Sequence, residues 1–149
     1  MTYTHLKKIK LSGFKSIKKL DLKMQPINIL IGANGVGKSN LISLFPLLRS
    51  MSQGRFIDYV KSKGGGAKLM HFGPETTKKI SIEVDVDINK FHVDLSHEPS
   101  GDSLYISEEF CGIKSNNYKP KYYLKGKAGE SGLHSGEADS QYVRDYTVK

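Results

Sequence analysis

Apolar and polar residues alternate with period two over residues 80–88, where Ile80, Ile82, Val84, Val86 and Ile88 interleave with Ser81, Glu83, Asp85 and Asp87. This is the pattern of a half-buried strand. The parity then shifts, and Phe91, Val93 and Leu95 become the apolar set. A tight turn at Asn89-Lys90 would set Ile88 opposite Phe91 on one face, and Asn89 tolerates the positive φ that such turns favour. Glu98-Pro99-Ser100-Gly101 has proline second and glycine fourth, a type I turn pattern. Leu104 and Ile106 continue the meander, and residues 118–124 read as a further strand. Upstream, Ile9 and Leu11, then Phe14, Ile17, Leu20 and Leu22, predict two short strands around a turn at Ser12-Gly13.

Between these regions the pattern changes. Ile27, Ile29, Leu30 and Ile31 form a β-branched apolar run, as expected of a buried central strand. Leu41, Ile42, Leu44, Phe45, Leu47 and Leu48 recur at helical spacing, and Pro46 predicts a distortion after about two turns. Residues 55–63 read as a further short helix, followed by a break at Gly64-Gly65-Gly66. Residues 126–140, rich in Gly, Ser and charge, read as a loop. The resulting division is a lobe over residues 1–125, and a loop with the start of another part over 126–149.

The strand and helix enclose Gly32-Ala33-Asn34-Gly35-Val36-Gly37-Lys38-Ser39, which has the form G-x-x-x-x-G-K-[ST]. Glycines let the backbone wrap phosphates with its N–H groups, Lys38 supplies positive charge, and the Ser39 hydroxyl can ligate Mg²⁺. A nucleoside triphosphate is the ligand this loop predicts.

Charge and composition add to this. The net charge of +8 is uneven: 15 basic and 3 acidic residues up to Lys79 give +12, while 8 basic and 12 acidic residues from Ile80 give −4. The basic half is the loop-bearing half, and such a field attracts a nucleotide or nucleic acid. A single cysteine, Cys111, excludes an internal disulfide and reads as a core or strand residue in a reducing cytoplasm. No apolar run is long enough to span a membrane, and the N-terminus lacks a signal-peptide core. His5, His71, His92, His97 and His134 read as surface or packing residues without metal spacing, and Asp85, Asp87 and Asp94 as a solvated face.

The segment Ile9-Lys10-Leu11-Ser12-Gly13-Phe14-Lys15-Ser16-Ile17, followed by Gly32 to Asn40, resembles the opening of ABC-type ATPases. The likeness is to the RecF, structural-maintenance-of-chromosomes and OLD-like soluble group, including predicted AAA-family ATPases associated with phage defence. It implies an α/β fold, α+β in part: a P-loop NTPase ABC-type N-terminal lobe whose mixed sheet carries an antiparallel β meander. It implies ATP and Mg²⁺ as cofactors, with Asn34, Gly35, Val36, Gly37, Lys38, Ser39 and Asn40 on the phosphates and Lys15 and Ser16 nearby. Lys38 would serve catalysis, Ser39 would hold the metal, and Gln141 would contact Mg²⁺ and the attacking water.

The family's Ser-Gly-Gly signature and its apolar strand ending in Asp-Glu do not occur here. The resemblance places both in a C-terminal lobe, so the chain reads as holding phosphates while the residues that cleave them lie elsewhere. Very low turnover by the isolated chain is the expectation. Partners implied are the nucleotide, a second copy or the C-terminal lobe, and DNA, with no membrane. Function would lie in DNA repair or phage defence.

Other readings fare worse or rest on less. A GTPase needs Asn-Lys-x-Asp, but Asn89-Lys90-Phe91 is followed by His92. The long meander disfavours a small-molecule kinase. A non-catalytic nucleic-acid or protein interaction module acting through the basic face is the alternative from another class.

Overall fold

The computed structural model describes residues 5–113, 121–123 and 129–135. Six strands form one sheet in the order β2-β1-β3-β4-β5-β6. They are β1 (Leu6–Phe14), β2 (Ile17–Lys23), β3 (Lys79–Val86), β4 (Asn89–Glu98), β5 (Ser103–Ile113) and β6 (Lys121–Tyr123). Helices α1 (Lys38–Ile42), α2 (Leu44–Ser52) and α3 (Phe56–Ser62) lie between β2 and β3, and α4 (Gly132–Ser135) follows β6. The α/β character expected of a P-loop ATPase lobe is present, with the antiparallel meander as its main body.

Alternation places Ile9 and Leu11 of β1, Ile80 and Ile82 of β3, and Val93 and Leu95 of β4 in the core. Leu44, Leu47 and Met51 of α2, with Phe56 and Val60 of α3, close over them. Each fully buried side chain of this kind contributes about 1.5–3 kcal/mol.

The β3–β4 hairpin differs from its sequence reading in register. Val86 pairs with Asn89 and Val84 with Phe91, so Asp87-Ile88 forms the turn rather than Asn89-Lys90. Asp87 takes the positive φ of 50°, which an aspartate tolerates better than β-branched Ile88. The difference is an even number of residues, so the apolar set keeps its face.

The first turn also moves, from Ser12-Gly13 to Lys15-Ser16, since Phe14 pairs with Ile17. Gly13 marks a close backbone approach instead: a Cβ there would stand 2.5 Å from the Lys79 carbonyl oxygen. The type I turn gives a short 3₁₀ segment, Pro99–Gly101. The helix expected over residues 55–63 is α3. The expected loop at 126–140 holds α4, anchored by two carboxylates. Glu130 accepts hydrogen bonds from the Phe56 and Ile57 N–H groups at the α3 N-terminus, at 2.6 and 3.1 Å. Glu109, buried, accepts from Gly132 N–H at 2.8 Å and from the Ser131 hydroxyl.

The largest departure concerns residues 27–31. They form no strand, and Ile27, Ile29 and Ile31 are 81%, 77% and 89% exposed. A central parallel strand needs neighbours on both sides. Every pairing among the described residues is antiparallel, and none involves this run.

Candidate phosphate-binding site

Proline chemistry sets the helix that carries the loop. Pro46 has no N–H for the Ile42 carbonyl, and its ring clashes there. Accordingly α1 ends at Ile42, Ser43 intervenes, and α2 begins at Leu44. The distortion falls nearer the loop than two full turns. Gly37 caps α1 at φ 101°, with no side-chain cap and no acidic residue in the first turn. The first N–H groups of a helix have no partner within it, and nothing negative competes for them here.

The Lys15-Ser16 turn braces this junction. Asn40 Nδ2 donates to Ser16 Oγ at 2.7 Å. A Cβ on Gly37 would lie 2.9 Å from the same oxygen, so glycine is needed both for its φ and for the close approach. Lys15 Nζ donates to Ser43 Oγ at 2.8 Å, and Ser43 Oγ donates to the Asn40 carbonyl at 2.8 Å. Tyr59 OH adds a 3.2 Å bond to the Ser43 carbonyl. The proline-induced break therefore becomes an anchor.

The turn is itself strapped down. Lys15 N–H donates to Leu69 O at 2.8 Å, and His71 N–H donates to Gly13 O at 2.9 Å. His71 Nδ1 lies 2.8 Å from Lys15 O. Lys15 sits at φ 50°, and these bonds hold it there. Burial, with a smaller contribution from the nearby Lys63 charge, lowers the Lys15 pKa from its ordinary value.

Lys38 Nζ donates to the Gly32 and Ala33 carbonyls at 2.6 and 2.7 Å, which folds its ammonium over the loop. Asn34, Gly35, Val36 and Ser39 are exposed. The structure thus gathers Ser16, Gly37 and Asn40 at one point, and links Lys15 to the same helix through Ser43. Gln141 lies outside the described residues. Sequence reading missed Ser43, although its place three residues before Pro46, next to the Ile42 carbonyl that the proline leaves unpaired, was the available signal.

The basic face is less basic than the charge count implies. Lys8 pairs with Asp21 at 2.9 Å, and Lys10 and Lys90 each pair with Glu83 at 2.9 Å. Burial would raise the Glu83 pKa, but hydrogen bonds from Lys90 and Lys10 overcome that and hold it at about 2. Lys79 pairs with Asp94. Asp85 and Asp94 are buried, not solvated as the alternation implied, and each lies beside a lysine of the neighbouring strand, Lys90 at 3.9 Å and Lys79. Cys111 is buried in β5, and burial, with the neighbouring Glu109 charge, pushes its thiol up to about 12, which makes it unreactive.

No helix among the described residues is long and apolar enough to cross a membrane. Curated relatives include the DNA replication and repair protein RecF of Renibacterium salmoninarum, 30% identical over 97 residues. That match covers 58% of this chain and 23% of the relative. RecF of an Arthrobacter species and of Paenarthrobacter aurescens are each 33% identical over 72 residues, 48% of this chain and 16% of theirs. The chain therefore spans less than a quarter of the length of these relatives. The family model of the AAA ATPase domain matches residues 5–137. That match, over most of the chain, shows that the chain belongs to the AAA ATPase domain family, an ATPase-type nucleotide-binding domain.

Proposed function

We propose that this chain is the ATP-binding lobe of a soluble, cytoplasmic RecF-like ATPase. Asn34, Gly35, Val36, Gly37, Lys38, Ser39 and Asn40 hold Mg-ATP. The observation that carries the reading is the brace at the loop exit, where Ser16 meets Asn40 beside Gly37. It fixes the first turn of α1 against the sheet, so the loop N–H groups need little reordering to meet phosphates.

In this reading Lys38 exchanges the carbonyls of Gly32 and Ala33 for β- and γ-phosphate oxygens. The Ser39 hydroxyl ligates Mg²⁺, which would neutralise the phosphate charge. Lys15, held by Ser43, adds positive charge near the phosphates, and Gln141 orients the attacking water. Cleavage requires further groups, supplied by the rest of such a protein or by a second copy bound around ATP. The apolar run at 27–31 becomes a buried strand when that remainder supplies its neighbours.

The relatives' description as DNA replication and repair proteins supports a role in DNA repair, with phage defence the other setting. Lys18, Lys19 and Lys23 of β2 carry no ion pair among the described residues, and they are where DNA would dock.

Equilibrium titration with Mg-ATP, with Mg-GTP as competitor, tests the reading. The chain should bind ATP in preference to GTP, and Lys38→Ala should bind it roughly tenfold or more weakly. Equal affinity in Lys38→Ala would show that the loop is not the site.

A further inference from the structure

A second cluster lies on the face of the sheet away from the helices. It is created by a bulge. Asp94 pairs with Glu108, but Leu95 pairs with Ile106, so Ser107 is the extra residue. The bulge reverses the facing of everything that follows it in β5. Glu109 turns into the core, while Glu108 and Phe110 turn outward beside His92 and Asp94. The imidazole of His92 stacks on the Phe110 ring, with centroids 4.7 Å apart and planes at 21°.

We propose that His92, Asp94 and Glu108 form a binding site for a divalent transition-metal ion of the Zn²⁺ class. One ligand atom from each lies within 4.8 Å of the others. The Asp94 side chain is 4% exposed. Lys79 takes one of its oxygens, while Oδ1 is buried, accepts no hydrogen bond and lies 3.2 Å from His92 Nε2. His92 Nδ1 is also buried without a hydrogen-bond partner. An unpaired buried carboxylate oxygen is costly, at about 1–3 kcal/mol, and the imidazole nitrogen that faces it is Nε2, not Nδ1. A cation between imidazole nitrogen and carboxylate oxygen removes that cost for the atoms it contacts.

The donor set selects the ion. An imidazole with two carboxylates suits Zn²⁺ and its neighbours in the first transition row, whereas Mg²⁺ and Ca²⁺ favour all-oxygen sites. Three protein ligands leave a position open for water. The Lys79 ammonium can remain on Oδ2 while Oδ1 ligates, and Ser81, opposite Asp94, and Ser107, whose hydroxyl bonds the Asp94 carbonyl at 3.1 Å, complete the polar surroundings. A groove of about 180 Å³ lined in part by Ser81, Glu83 and His92 reaches the His92 edge of the cluster. None of these residues belongs to the phosphate loop.

Titration of the chain with Co²⁺, read by visible d–d absorption, and with Zn²⁺ by calorimetry tests the site. One equivalent should bind. His92→Gln and Glu108→Gln should each weaken binding about tenfold or more, and His97→Gln, which removes the separate His97–Asp102 pair, should leave it unchanged. Zn²⁺ should raise the thermal midpoint of the wild type and not that of Glu108→Gln. Glu108 is the least buried of the three ligands, so this variant tests the site even if His92→Gln does not fold. No binding, or wild-type binding in Glu108→Gln, overturns the proposal.

Discussion

The antiparallel meander and the loop-bearing segment use similar apolar residues to opposite effect. In β3 and β4, Ile80, Ile82, Val93 and Leu95 are fully buried and their backbones are paired on both sides. In residues 27–31, Ile27, Ile29 and Ile31 are almost fully exposed and belong to no strand. Hydrophobicity alone does not make a strand; a neighbouring backbone does. The meander brings its own neighbours through short turns, while the loop segment has no backbone ladder and is held by local bonds such as those of Lys38 and by the Ser16–Asn40 brace after it.

This contrast orders the expected responses to mutation. Ile82→Ala, in the fully buried core, should cost about 2–5 kcal/mol in chemical denaturation. Ile29→Ser should leave the stability of the chain within about 0.5 kcal/mol. A large loss from Ile29→Ser would mean that the run is already buried against something in solution.

Gly37→Ala should be intermediate. It forces φ 101° on a residue with a Cβ and meets Ser16 Oγ, a cost of about 1–3 kcal/mol. It should weaken Mg-ATP binding as well, measured by the same titration, whereas Ile82→Ala should affect binding only through folding.

Acid should act on the meander rather than the loop. Glu83 is held at about 2, below its ordinary 4.5. A depressed carboxylate contributes stability above its unfolded pKa and loses it as pH falls through the folded value. Denaturation midpoints should therefore drop between about pH 4.5 and 2, and Glu83→Gln should flatten that slope. Smallest among the destabilising changes is Glu130→Gln, which keeps the shape but loses the charge at the α3 N-terminus. It should cost about 0.5–1 kcal/mol, seen as a lower thermal midpoint.

What could be read in the sequence follows the same division. Periodicity located β3, β4 and the inward faces because one-sided burial imposes it. The glycine loop was legible because its pattern fixes Gly32, Gly37, Lys38 and Ser39 at set spacing. The turn positions were missed where local choice decided them: Asp87 accepts a positive φ that Ile88 resists, and Gly13 serves a backbone crossing rather than a reversal. The bulge at Ser107 was not legible, since one charged residue, Glu108, within the apolar series Leu104, Ile106 and Phe110 does not by itself signal a change of facing. For that reason the approach of Glu108 to His92 and Asp94 could not be foreseen. Neither could the burial of Asp85 and Asp94, whose ion-pair partners come from neighbouring strands.

Amide hydrogen exchange with and without Mg-ATP tests the central claim most directly, because it reads both regions in one experiment. The account predicts strong protection in residues 79–98 that nucleotide leaves unchanged. Residues 32–40 should exchange fast alone and slow severalfold when Mg-ATP is added, an effect lost in Lys38→Ala. Unchanged exchange in residues 32–40 at saturating Mg-ATP would contradict it.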